Sequence, residues 1–350
     1  MYPFDPGVYA ARNRWYVAAL SSEIGRTPME RWILNKPVAF YRTEAGTPVA
    51  IGGRCPHRGY PLGKSQLRGD AVVCGYHGMT FEADGRCSHI PCQDVIAPNA
   101  RVKAYPLIEL WDWVWIWPGD PERADPALIP DHFELGLTDP AWKKRPPMYW
   151  PVNGRYQLLN DNLLDLSHLT VLHASTIGGA DVAATQETHE EGGGWVRSTR
   201  YIEDAFMTDW SRQARGIEGK VDREIGMTFL MPGLHHGHDR FYRPRSEATG
   251  ANEPILEVRV FHAVTPATLT TCHYFAASAV DPTTHEIAAR TQPDPKATMR
   301  IFLEDIEATN EIERLLQTAG EFKELPLRSD VHGLRGRRML QAMIKAEQAA

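Results

Sequence analysis

Short runs of apolar and β-branched residues, broken by glycine and proline, fill the first third of the chain. Val38-Ala39-Phe40-Tyr41-Arg42 and Pro48-Val49-Ala50-Ile51 flank Glu44-Ala45-Gly46, which predicts a strand, a turn and a second strand. Trp15–Leu20 is an apolar run that ends in polar Ser21-Ser22-Glu23. Ala71–Val73 and Val114–Trp117 predict further strands, and Asp84-Gly85 a hairpin turn. Seven prolines between Pro118 and Pro147 leave little room for a long helix and predict an extended connection. The period then changes. Leu159, Leu163, Leu166 and Leu169 or Thr170 recur at helical spacing and predict an amphipathic helix running to about His173. Met299–Ala308 predicts a second helix and Leu334–Ala350 a terminal one. Between them lie β-rich runs at Trp195–Tyr201, Gly226–Met231, Ile255–Val264 and Thr270–Ala276. The expected class is α+β, with an all-β domain over residues 1–120, a proline-rich linker over 121–147 and a second domain over 148–350. In the second domain a curved antiparallel sheet wrapped around a helix would bury an apolar cavity.

Composition narrows the class. A chain of 350 residues with 43% hydrophobic positions can bury a substantial core. Its longest apolar runs are far too short to cross a bilayer, and no signal-peptide core is visible near the start. Net charge is −6 with scattered basic residues, which argues against nucleic acid as the main partner. Five cysteines form no disulfide framework and fit a reduced cytoplasm.

The chemistry concentrates in two places. The first is Cys55-Pro56-His57 and, sixteen residues later, Cys74-Gly75-Tyr76-His77. Each loop offers one sulfur and one nitrogen. That looks like a Rieske [2Fe–2S] centre, in which thiolates hold one iron and imidazoles the other, raising the potential to roughly −150 to +300 mV. Tetrahedral zinc is the competing reading, but zinc fingers usually keep the two Cys together and the two His together. Arg54, Arg58, Lys64, Arg68 and Arg86 lie near these loops, as a solvated basic face or a landing site for an acidic electron donor. The second place is Asn160–His173, where His168 and His173 sit five residues apart. On a regular helix that is about 140°, so a shared metal needs a bulge or a helix end. Read alone, these could be surface histidines. A facial triad for non-haem Fe(II) would need a carboxylate as well, and Glu304 and Asp305 are both candidates.

The chain resembles the oxygenase component of Rieske non-haem iron oxygenases, and among them the vanillate- and dicamba-type aromatic O-demethylases. The matching stretches are Arg12–Leu20, the two Cys/His loops, Ile116–Asp120, Asp161–His168 with His173, His262–Pro266, His273–Phe275 and Glu304-Asp305. The resemblance implies an N-terminal Rieske domain and a helix-grip, START-like catalytic domain. It implies Cys55, His57, Cys74 and His77 on the cluster, and His168, His173 and Asp305 on a mononuclear iron. Asp165 matches an acid that bridges a cluster histidine of one subunit to an iron histidine of the next, which makes a homotrimer or other ring functional. Asn162 matches a residue near the iron, and His262 a position in the substrate pocket.

The implied reaction is an O2-dependent monooxygenation, with NADH electrons delivered through a separate flavin and iron–sulfur reductase. A methoxylated, vanillate-like aromatic acid would yield a phenol and formaldehyde. Hydroxylation or N-demethylation of another aromatic is the alternative; a Rieske electron carrier with a non-catalytic binding domain is a third. Gly75 and Met79 depart from the usual loop residues. His235-His236-Gly237-His238 follows neither demethylase and reads as an exposed polar loop or, less simply, a second metal site.

Overall fold

The computed structural model describes residues 9–245, 254–281, 295–320 and 323–349. Ten short strands build the N-terminal third: β1 (Tyr16–Leu20), β2 (Met29–Ile33), β3 (Lys36–Arg42), β4 (Pro48–Gly52), β5 (Gln66–Arg68), β6 (Ala71–Val73), β7 (Thr80–Phe81), β8 (Cys87–His89), β9 (Leu107–Leu110) and β10 (Trp113–Ile116). They form three small antiparallel sheets ordered β1-β10-β9, β2-β3-β4 and β5-β6-β7-β8. The turn at Asp84-Gly85 joins β7 to β8 as expected, with Gly85 at φ +78°.

The proline-rich stretch is ordered by its own aspartates. Asp120, Asp125, Asp131 and Asp139 each accept a hydrogen bond from the backbone N–H two residues on, a repeated local turn that needs no sheet or helix partner. Ile129, Leu135 and Leu137 then pack on Trp15, Trp113, Trp115 and Trp117. Lys143–Pro147 is not connector at all. It is the first half of strand β11 (Lys143–Val152), whose register shifts between Arg145 and Met148. An edge strand with a bulge tolerates Pro146 and Pro147, which donate no ladder hydrogen bonds.

The rest is one seven-stranded antiparallel sheet with a few helices. Helix α1 (Tyr156–Leu164) precedes α2 (Ala180–Ala184), β12 (Thr188–Gly192), β13 (Trp195–Ile202), α3 (Asp209–Arg215), β14 (Asp222–Leu230), β15 (Leu234–Tyr242), β16 (Leu256–Pro266), β17 (Cys272–Val280), α4 (Pro295–Ala319) and α5 (Val331–Ala349). The sheet order is β11-β17-β16-β15-β14-β13-β12. Strand β17 is buried along nearly its whole length because both its faces are covered. Tyr274 and Ala276 join Leu159, Leu163, Phe302 and Ile306 of α1 and α4, whereas Phe275, Ala277 and Ala279 join the tryptophans of the N-terminal domain. A strand covered on both sides reads as a continuous apolar run.

The polar run at His235–His238 is not a loop. It lies in β15, between β14 and β16. His235 is fully buried, stacks on Phe229 at 4.6 Å between centroids and shares a hydrogen bond with Asn160 Oδ1 at 2.8 Å. His236 stacks on Phe261 and His238 faces Glu224. Imidazole rings have flat faces that pack like aromatics, so polarity alone misjudged this strand.

Candidate metal centres

The two Cys/His loops are built alike. In the first, Cys55 N–H donates to Tyr60 O (2.9 Å) and Gly59 N–H to Cys55 O (2.8 Å). In the second, Cys74 N–H donates to Met79 O (2.8 Å) and Gly78 N–H to Cys74 O (3.0 Å). Gly59 and Gly78, each four residues after its cysteine, turn the chain back at φ +75° and +74°. The paired loops put both thiols inside and both imidazoles outside: Cys55 and Cys74 are 3% exposed, while His57 and His77 lie on the surface with ring centroids 4.5 Å apart.

Burial pushes the Cys55 thiol up to about 11, against backbone hydrogen bonds from His57 and Arg58, and a cation at the sulfur would favour the thiolate. Two inward sulfurs and two outward nitrogens therefore fit a [2Fe–2S] cluster with its histidine-bound iron toward solvent. The two unusual positions have physical reasons. A Cβ at residue 75 would sit 3.0 Å from the Tyr60 hydroxyl, and Met79 places its sulfur 4.0 Å from Cys55 Sγ.

The second centre forms where helix α1 stops. Its start is tied to α4 by Arg155, which pairs with the buried Glu313, and its middle to α5 by the two-point contact of Arg337 with Asp161. The α-helix ends at Leu164, not near His173. Asp165 leaves helical geometry (φ −107°, ψ 91°), and its carboxylate caps a short 3₁₀ turn, Leu166–Thr170, by accepting from Ser167 N–H at 2.9 Å. That break is the helix end the histidine spacing called for. It brings the His168 and His173 rings to 5.1 Å between centroids.

Each histidine has one nitrogen occupied. His168 Nδ1 bonds the Asp165 carbonyl at 2.5 Å and His173 Nδ1 bonds Glu304 Oε2 at 2.8 Å. Both acceptors require Nδ1–H, which leaves a lone pair on each Nε2. Those Nε2 atoms converge on Asp305 Oδ1 from α4, at 3.5 Å and 3.0 Å. The ligand atoms of His168, His173 and Asp305 all lie within 4.8 Å of one another, and no other such group of metal-ligating side chains occurs among the described residues.

Two adjacent acids thus divide the work: Asp305 faces both imidazoles from one side, and Glu304, itself paired with Arg300, orients one of them. Burial lowers the pKa of His168. For His173 burial acts the same way, but the hydrogen bonds and charges of Asp305 and Glu304 outweigh it and the pKa is raised. Two neutral imidazoles and one carboxylate on one side of a cation fit the facial triad of non-haem Fe(II).

The triad forms part of the wall of a cavity of about 730 Å³. Its apolar lining includes Met227, Val258, Val260 and Phe302. His262 also lines it, sharing a hydrogen bond of 2.6 Å with the Tyr274 hydroxyl; burial pushes its pKa down to about 4. Asn162 is on α1 and is not among the lining residues. Asp165 is half-buried, with its side chain on the cap. Sequence reasoning missed the charged part of the lining, Arg145, Arg215, Arg223 and Asp239. Arg223 and Asp239 interrupt strands β14 and β15, whereas Arg145 and Arg215 lie in a Lys/Arg/Pro-rich stretch and at a helix end, where nothing local marks them.

Residues 14–106 match the Rieske [2Fe-2S] domain family, and residues 152–346 match the vanillate O-demethylase oxygenase C-terminal domain family. The iron–sulfur subunit TsaM1 of a toluene-4-sulfonate monooxygenase system from Comamonas testosteroni is 33% identical over 96% of this chain and 97% of its own. A vanillate O-demethylase oxygenase subunit from Pseudomonas sp. (strain HR199 / DSM 7063) is 31% identical over 97% and 96%. The crystal structure of dicamba monooxygenase bound to 3,6-dichlorosalicylic acid superposes with a TM-score of 0.82 at 29% identity, covering 97% of this chain and 99% of that one. The chain belongs to the Rieske oxygenase components of the vanillate O-demethylase type. It is an oxidoreductase with a Rieske [2Fe–2S] domain and a non-haem iron oxygenase domain.

Proposed function

We propose that this oxygenase component removes the methyl group from a methoxylated aromatic acid of the vanillate kind. The observation that carries the reading is the convergence of His168, His173 and Asp305 at the wall of a large apolar cavity. Cys55, His57, Cys74 and His77 would hold the cluster, and His168, His173 and Asp305 the iron. Iron held there supplies the reduction of O2 and the insertion of one oxygen atom into a substrate C–H bond.

The protein's own part is positional. Glu304 and the Asp165 carbonyl lock the two imidazoles in the tautomer that leaves Nε2 free. Met227, Val258 and Val260 exclude water from the reacting carbon. His262, kept neutral by burial and joined to Tyr274, offers a hydrogen-bonding edge to a substrate oxygen without placing a cation beside the iron. For a methyl ether the balance is complete: ether, O2, two electrons and two protons give phenol, formaldehyde and water.

NADH electrons would come through a separate flavin and iron–sulfur reductase, docking where His57, His77 and Tyr76 are exposed. The half-buried Asp165, on the turn that carries His168, supports a ring of subunits, a homotrimer, in which it links one subunit's iron histidine to its neighbour's cluster histidine. Asn162, three residues earlier on α1, stands at the position that the resemblance puts near the iron.

Product analysis tests the reading. With NADH and a surrogate reductase, formaldehyde equimolar with a new phenol is expected from methoxylated aromatic acids. The likeness to a toluene-4-sulfonate monooxygenase subunit favours a second reading, oxidation of a ring methyl. Hydroxymethyl products without formaldehyde would establish that one instead.

A further inference from the structure

The cavity changes character along its length. Strand β16 runs past it, with His262 level with Ala276 of β17, then Val260 level with Ser278 and Val258 level with Val280. His262 is at the iron end, where Asp305, His168 and His173 are its electrostatic neighbours. Across β17, Ser278 is paired with Arg145 of β11. Arg145 therefore stands one inward-facing position farther along the sheet than His262, about 7 Å, and two strands across, about 10 Å.

Its charge has no acid partner among the described residues. Arg215 and Arg223 also line the cavity, but both are held by Asp239, at 2.9 Å for Arg215 and at 2.7 and 3.1 Å for Arg223. No carboxylate among the described residues pairs with Arg145. Burial alone lowers its pKa, with no acid raising it, and its field in turn lowers that of Arg215. Three guanidiniums thus meet one carboxylate at this end, with Lys143 lining the same side. Arg145 is exposed at the rim of this apolar chamber, where its planar fork is free to match two oxygens of one entering group.

We propose that Arg145 is the specificity-determining residue that receives the substrate's carboxylate or sulfonate. Level with Val260 and one row beyond His262, it selects aromatic anions whose acid group is meta or para, rather than ortho, to the group that is oxidised. The inference rests on the oxygenase reading above and deepens it. A meta- or para-disposed acid reaches across the chamber, whereas an ortho-disposed acid would leave Arg145 unpaired when its methyl group is at the iron.

Equilibrium binding to the metal-loaded enzyme under nitrogen tests this without turnover. The ligands are 4-methoxybenzoate, 4-methoxybenzenesulfonate, 2-methoxybenzoate and methyl 4-methoxybenzoate. The wild type should prefer both para anions to the ester and to the ortho acid. Arg145→Ala should cut the acid-over-ester preference about 30-fold, the loss of a charge-assisted pair, and Arg145→Lys should restore part of it. The relative loss for carboxylate and sulfonate identifies which anion the fork fits better. Equal weakening of acid and ester, or no preference in the wild type, would overturn the proposal, and the wild-type arm stands even if a variant folds poorly. Formaldehyde assays on the same ligands address the demethylase reading separately. Anion selectivity through Arg145 without formaldehyde would sink that reading and leave this one, and formaldehyde without anion selectivity would do the reverse.

Discussion

Asp165 serves two purposes with two different groups. Its carbonyl orients His168 and its carboxylate caps the 3₁₀ turn, while the residue stays half-buried. Asn caps helices as well as Asp, so Asp165→Asn preserves the local fold and removes only the charge. The expected variant binds both metals at wild-type stoichiometry but loses most of its product formation per NADH consumed. Metal analysis beside coupled turnover checks this, and normal turnover would exclude a role for the carboxylate in passing electrons between subunits. The same scale shows why Glu304 and Asp305 could not be told apart from spacing. Adjacent residues on a helix differ by about 100° in direction, and only the position of α4 against the histidine turn decides which side each faces.

At the scale of elements, the iron-side geometry depends on a tight return after His173. Gly178 N–H donates to His173 O at 2.9 Å, and a Cβ on residue 178 would lie 1.9 Å from Leu169 O and 2.8 Å from His173 O. Gly178→Ala must therefore push the two halves of the turn apart. The expected result is a fall of several-fold in iron occupancy with the visible spectrum of the cluster unchanged, measured by metal analysis and absorbance; full iron loading would show that the turn tolerates the shift. Helix α1 illustrates how periodicity misleads. Leucines at helical spacing continue past Leu164 because the 3₁₀ turn still buries Leu166 and Leu169, against Val182 and Ile202, so the apolar stripe outlasts the α-helix.

Across the whole molecule, burial holds several histidines neutral. It pushes His262 down to about 4 and His236, His273 and His332 to about 3, and it holds His235 well below the ordinary imidazole range. Each folded-state pKa lies below the unfolded value, so the unfolded chain binds more protons in acid. Their contribution is fully present above about pH 6.5 and is lost as pH falls toward 4 for His262 and toward 3 for His236, His273 and His332, at about 1.4 kcal/mol per pH unit for each group. Denaturant unfolding of the loaded protein between pH 7.5 and 5 should show a slope of several protons. His236→Phe, which keeps the stack on Phe261, should reduce that slope by about one. An unchanged slope would mean that His236 is charged in the folded protein.

The sequence alone determined the local chemistry of this protein. The two Cys/His loops carry their own turns, with a glycine four residues after each cysteine, and the short strands and the Asp-Gly hairpin follow from neighbours in the chain. It also indicated that His168 and His173 could share a metal only at a bulge or a helix end. Tertiary structure decided what depends on elements brought together from far apart. It brought Asp305 to the two histidines across more than a hundred residues, set the polar His235–His238 run in a strand by stacking His235 and His236 on Phe229 and Phe261 and placing His238 against Glu224, and recruited the end of the proline-rich stretch as an edge strand. It also left Arg145 lining a cavity with no acid paired to it among the described residues. Spacing reports the reach of one segment, but charge balance within a cavity is a sum over every wall, and that sum exists only once the sheet has closed around it.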